Sequence, residues 1–130
     1  MVVTDHAPHT KVEKDNALPL KAPSGVPGVE TMIPLLLSVA ANHWPHPTSS
    51  RPKDANLTYH DIRRLCFDNP NRIFRLGKGG ILDAARADVV IVDSDKEWIL
   101  EAEKLHSKCG WTPYEGWKVR GKVERVLMAR

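Results

Sequence analysis

The densest group of side chains capable of chemistry lies near the start, in Thr4-Asp5-His6-Ala7-Pro8-His9. A carboxylate and two imidazoles fall within five residues, directly after the apolar pair Val2-Val3. An Asp at the carboxyl end of a strand can bind a divalent metal and accept a proton from metal-bound water. Once protonated, it can pass that proton to a leaving group. His9 stands four residues beyond Asp5, and in a helically wound turn it would point the same way, ready to hold a substrate carboxylate. Plainer readings stand beside these: an Asp before a turn is often only a cap, and a surface His is usually only solvated. A second stretch, Ala22-Pro23-Ser24-Gly25-Val26-Pro27-Gly28, puts two prolines and two glycines into seven residues. Its glycines would let the backbone approach a ligand closely, and free N–H groups there can bind an anion. Alone, it is equally a helix-entry turn. His43-x-x-His46 has the spacing of a metal pair, but it sits between prolines with no further ligands nearby.

The elements that must position these residues follow from pattern. Val2-Val3 reads as a short buried strand that ends in the polar turn from Asp5 to His9. The segment from Lys11 to Lys21 is charged and without period, so it reads as loop. From about Val29 the apolar residues Val29, Met32, Ile33, Leu36, Leu37 and Ala40 recur at three and four, which predicts a helix with one buried face. Pro34 falls near its start, where a missing N–H costs least. Asn42 to Asn56 is polar and proline-rich, a mobile loop or an insertion. Thr58 and Asp61 form a capping-box pair for a helix carrying Ile62, Leu65 and Cys66. That helix should stop at Asn69, because Pro70 disfavours the α conformation before it, and a short helix should follow from Asn71 to Leu76. Ala87 to Asp93 reads as a buried strand, Trp98 to Leu100 as a shorter one, and Trp117–Val119 with Val123–Ala129 as a hairpin turning at Gly121.

Length and composition bound the class. The chain has 130 residues, 42% hydrophobic and 27% charged, with a net charge of +3. That is one domain or a piece of one, globular and not disordered. The 19 basic and 16 acidic residues are interleaved, so no basic stripe points to nucleic acid. The basic residues between Lys118 and Arg130 alternate with apolar ones, as in a sheet with one wet face. Cys66 and Cys109 show no metal or redox spacing and read as free thiols of a reducing cytosol. The apolar stretch from Met32 to Ala41 is half of what a membrane span needs. A cytoplasmic protein is the expectation. The abrupt start, a strand leading at once into the most polar turn, is expected of a chain lacking something upstream.

The two chemically capable stretches together resemble a known family. Thr4-Asp5-His6-Ala7-Pro8-His9-Thr10, followed by Ala22 to Thr31, is similar to the final barrel segment of dihydroorotases, metal-dependent hydrolases of the amidohydrolase superfamily. Asn69-Pro70-Asn71-Arg72-Ile73-Phe74 resembles the helix after their last barrel strand. Ala87 to Asp93 resembles the returning strand of their small β domain, and Ser107 to Gly116 resembles their tail. The resemblance implies an α/β chain: residues 1–76 as the last strand and helices of a (β/α)8 barrel, and residues 77–130 as a small β-sandwich domain. It implies hydrolysis of dihydroorotate to N-carbamoyl-aspartate, and the reverse closure, in pyrimidine biosynthesis. Asp5 then corresponds to the aspartate that ligates one of two zinc ions and acts as general base, then acid. His9 corresponds to the histidine that holds the substrate carboxylate, Ser24 and Gly25 to the substrate loop, and His6 to no metal role.

The departures are equally specific. The family's His-x-His, bridging carboxylate or modified lysine, and two later histidines are absent, and a zinc site needs at least three protein ligands. The Asn42 to Asn56 loop is longer than the family's, and Asp83-Ala84-Ala85-Arg86 stands where a glycine is common. The chain is therefore expected to be inactive alone, with the missing N-terminal barrel portion as its first partner. It is expected to expose apolar surface and self-associate. Two alternatives remain: a non-catalytic module binding a partner such as aspartate transcarbamoylase, or an allantoinase-like or hydantoinase-like hydrolase.

Overall fold

The computed structural model describes residues 1–15, 18–82 and 87–128. Asp83 to Arg86 and the final Ala129 of the expected hairpin lie outside them. In chain order the elements are α1 (Lys11–Lys14), a 3-10 turn (Pro19–Lys21), α2 (Met32–Ala40), α3 (Tyr59–Arg63), a π-helical turn (Arg64–Asp68) and α4 (Asn69–Phe74). Then come β1 (Val89–Ile99), a 3-10 turn (Ala102–Lys104) and β2 (Lys118–Leu127). The architecture is a small α/β one, with β1 and β2 paired antiparallel.

Several elements follow their local chemistry. Thr58 caps α3: its Oγ1 accepts the Asp61 N–H at 3.1 Å, and the Asp61 carboxylate accepts the Thr58 N–H at 3.1 Å. Helix α2 carries Pro34 in its first turn and buries Leu37 and Ser38. Residues 42–56 form no helix or strand, yet they are internally bonded. Arg51 donates to the Ala55 carbonyl and, at 2.8 Å, to Asn42 Oδ1.

Four expectations need correction. Lys11 to Lys21 is not all loop, because Thr10 and Glu13 form a second capping box that starts α1. Val2-Val3 forms no strand. A strand exists only when a neighbour takes its ladder bonds, and the Val2 N–H goes instead to the Leu65 carbonyl at 3.3 Å. Nor does the helix stop at Asn69: α3, the π turn and α4 follow one another without a break. The Asn69 N–H bonds the Arg64 carbonyl, five residues back. In that register Pro70, which has no N–H, would face the Leu65 carbonyl, and this is the carbonyl that Val2 occupies. The π turn thus carries the chain past the proline and leaves the freed acceptor to another segment.

The fourth correction concerns the β half. The two short strands expected at Ala87–Asp93 and Trp98–Leu100 are parts of one strand, interrupted between Asp93 and Glu97. There Asp93 Oδ1 accepts the N–H groups of Asp95 and Lys96. The expected hairpin at Gly121 is also one continuous strand, β2, whose partner is β1. Gly121 is not a turn but a point of close approach. A Cβ on it would lie 2.7 Å from Leu37 Cβ, and its φ is +98°. Helix α2 therefore packs directly on β2. Ser38 Oγ accepts the Arg120 N–H at 2.8 Å, and Leu37, Leu100 and Val119 are buried there.

Candidate functional site

The segment holding Asp5 and His9 and the glycine-proline loop holding Ser24 and Gly25 lie against each other. The Ala7 N–H bonds the Val26 carbonyl at 3.1 Å. His6 Nδ1 accepts the N–H groups of Gly28 at 3.0 Å and Val29 at 3.3 Å, so this nitrogen carries the lone pair. Gly25, at φ +85°, sits so close to Ala7 that a Cβ would fall 2.6 Å from Ala7 Cβ. Here the glycine is required both by its backbone and by its neighbour. Lys14, at the end of α1, reaches back to the Pro23 and Gly25 carbonyls at 2.5 and 2.9 Å. The loop is thus tied to the Asp5–His9 segment through Ala7 and His6, and to α1 through Lys14.

Asp5 is exposed and has a φ of +45°. Left-handed backbone is uncommon outside glycine and is best tolerated by Asp and Asn, whose short polar side chains can bond locally. His9 is half-buried, with its N–H on the Ala7 carbonyl at 2.9 Å. Among the described residues, no hydrogen bond engages the Asp5 carboxylate or the His9 imidazole. Ser24, on the glycine-proline loop, is exposed. An open cleft lined by Lys11, Glu103, Trp111 and Glu115 adjoins α1 and contains none of the four candidates.

Among the described residues, no group of three or more His, Cys, Asp or Glu side chains could hold a metal ion. His6 is committed to backbone N–H groups. His43 bonds the Lys118 carbonyl at 3.1 Å, and His46 Nδ1 accepts from Thr48 and Ser49 while its ring packs edge-on to Trp117. The His43-x-x-His46 spacing therefore serves structure. Cys66 and Cys109 are free thiols, and burial pushes the Cys66 thiol up. Among the described residues, a complete two-metal donor set does not fit what the site provides.

Three residues at the rim escaped the sequence reading. His6 carried no assigned role, yet it bonds the two segments together. Glu30 accepts the N–H groups of His106 and Ser107 at 2.8 and 2.7 Å, and it lies 2.9 Å from His106 Nδ1. Partial burial opposes its charge, but these bonds prevail and hold its carboxyl below the usual range. Trp111 Nε1 donates to the His9 carbonyl at 2.7 Å. The partners stand 76 to 102 positions apart, beyond the reach of any local pattern.

No family model matches the chain. Among characterised proteins it is 42% identical over 128 residues to dihydroorotase of Pyrococcus abyssi, covering 98% of this chain and 28% of that protein. It is 43% identical over 117 residues to dihydroorotase of Halobacterium salinarum, covering 89% of this chain and 25% of that protein. It is also 40% identical over 129 residues to multifunctional protein pyr1-3 of Dictyostelium discoideum, of which it covers 5%. The chain thus resembles dihydroorotases over nearly its whole length and spans about a quarter of theirs.

Proposed function

We propose that this dihydroorotase-like chain supplies the C-terminal portion of a cyclic amide hydrolase that interconverts dihydroorotate and N-carbamoyl-aspartate. The observation that carries this reading is the apposition of the Asp5–His9 segment and the Ala22–Gly28 loop through Ala7, His6 and Gly25. Similarity to dihydroorotases over 98% of the chain supports the substrate class.

The division of labour follows from the side chains. The Asp5 carboxylate is an exposed proton acceptor. Ring opening by water needs a base to take a proton from the attacking water. It then needs an acid to return one to the departing amide nitrogen, and a single carboxylate can do both in turn. The His9 imidazole, when protonated, offers a charge-assisted hydrogen bond to the substrate carboxylate. Ser24 offers a hydroxyl, and Gly25 lets the backbone come close. The family is metal-dependent, generally on zinc. Asp5 would be one ligand of such a site, and the remaining donors would come from the N-terminal barrel portion. In the same reading, residues 1–76 complete a (β/α)8 barrel, residues 77–130 belong to a small β domain, and the location is cytoplasmic.

Reconstitution tests this. The chain alone should show no ring opening, and the chain combined with the N-terminal remainder of a dihydroorotase should open dihydroorotate. Failure of every such combination, with both parts folded and associated, would favour a non-catalytic module. Binding to aspartate transcarbamoylase would then be the next measurement. Turnover of allantoin or a hydantoin in preference to dihydroorotate would move the substrate class.

A further inference from the structure

We propose that the connection between β1 and β2, residues 100–117, is a brace that holds the two halves of the candidate site in register, with Trp111 and Glu30 as positioning residues. The inference rests on the reading of the Asp5–His9 and Ala22–Gly28 segments as the substrate site, and it adds what keeps them together.

The connection grips the site at both ends. Trp111 Nε1 donates to the His9 carbonyl at 2.7 Å. Glu30, two residues beyond the glycine loop, receives the His106 and Ser107 backbone N–H groups. Between these grips the contacts close a circuit. Thr10, next to His9, caps α1, and Lys14 of α1 reaches the Pro23 and Gly25 carbonyls. His6 then ties Gly28 and Val29 back to the first segment. The brace itself is seated in the core: Leu100 is fully buried, Cys109 and Thr112 are buried, and the Leu100 N–H bonds the Trp117 carbonyl at 2.9 Å. Neither the catalytic candidate Asp5 nor the substrate-binding candidate His9 lies on a long regular element, since both precede a four-residue helix. Such a segment keeps its geometry only through outside partners.

The test is amide hydrogen exchange on the full chain, comparing wild type with Trp111→Phe and Glu30→Gln. The Phe variant keeps a ring and loses the N–H donor; the Gln variant keeps one oxygen and loses the paired acceptor. Exchange at the Ala7, Gly28 and Val29 amides should accelerate by about tenfold or more in both variants, while the amides of the β1–β2 ladder keep their rates. Unchanged exchange at the site would overturn the brace, and so would equal acceleration in the ladder. In reconstituted enzyme, Trp111→Phe should raise KM for dihydroorotate while leaving kcat within a few-fold. Equal loss in both, with ladder exchange raised, would mark a merely structural tryptophan. Exchange decides the brace by itself. If the site amides respond as expected but no reconstituted form acts on dihydroorotate, the functional reading fails and the brace stands.

Discussion

Asp5 combines left-handed backbone with an exposed carboxylate, and such positions cluster where function holds them in place. His9 differs: its carbonyl is tied to Trp111, and in the proposed reading its ring meets the substrate carboxylate. The two should therefore respond differently to substitution. In reconstituted enzyme, His9→Ala should raise KM for dihydroorotate by about tenfold or more, with a smaller change in kcat, as expected when one charge-assisted hydrogen bond to substrate is lost. Steady-state kinetics check this, and an unchanged KM would remove His9 from the substrate's carboxylate. At this scale the sequence was most legible where groups lie close along the chain. Asp5, His9, Ser24 and Gly25 stand in two short stretches, and the structure brings those stretches together. The role of His6 was not legible, because it depends on which backbone N–H groups approach the ring from 22 and 23 positions away.

Among the elements, α3 gives the clearest link between a residue pair and stability. The Asp61 carboxyl is lowered to about 2, chiefly by hydrogen bonds from the Thr58 hydroxyl, then from Arg64 and the Thr58 backbone. A group whose pKa is depressed in the folded state stabilises it above the unfolded value and loses that contribution as pH falls toward the folded value. Helical signal from α3 to α4 should therefore weaken between about pH 4 and pH 2. In Asp61→Asn, part of that dependence should be missing when circular dichroism is followed through the same range. Gly121 offers a second test. Gly121→Ala would put a methyl group 2.7 Å from Leu37 Cβ at φ +98°, so it should destabilise by more than about 2 kcal/mol in thermal or urea unfolding. Adding Leu37→Ala should recover little, because the backbone strain remains.

The elements also show where pattern reading stops. Capping boxes work over three residues, so Thr58-x-x-Asp61 was legible, and Thr10-x-x-Glu13 carries the same local signal within a segment whose charge and lack of period read as loop. The strand at Val89 was legible from its β-branched run. The continuity of β1 past Asp93 was not, because polar Ser94, Asp95 and Lys96 look like a break until Asp93 takes the N–H groups of Asp95 and Lys96. Pro70 predicts a helix end by its own chemistry; the π turn and the Val2 N–H supply a different solution from a distant segment. Gly121 reads as a turn in isolation and becomes a contact point only once α2 is laid across β2.

For the molecule as a whole, exposed apolar surface is the main physical fact. Val90, Ile91, Ile99, Val126, Leu127 and Met128 on or beside the sheet are exposed, as are Ile73, Phe74 and Leu76 at the end of α4. A two-stranded sheet is marginal in water without further burial, and apolar surface of this kind drives association. The isolated chain should therefore self-associate in a concentration-dependent manner; a monodisperse monomer by light scattering at high concentration would contradict this. Among the described residues, no helix is long and apolar enough to cross a membrane.

In the proposed function, Asp5 carries the proton transfers of ring opening. Its most direct test is the rate of dihydroorotate hydrolysis by reconstituted enzyme carrying Asp5→Asn. Asn tolerates the left-handed backbone, so the substitution removes the carboxylate and keeps the fold. A fall in kcat of about a hundredfold or more is expected; a rate within a few-fold of wild type would show that Asp5 does not carry the transfers.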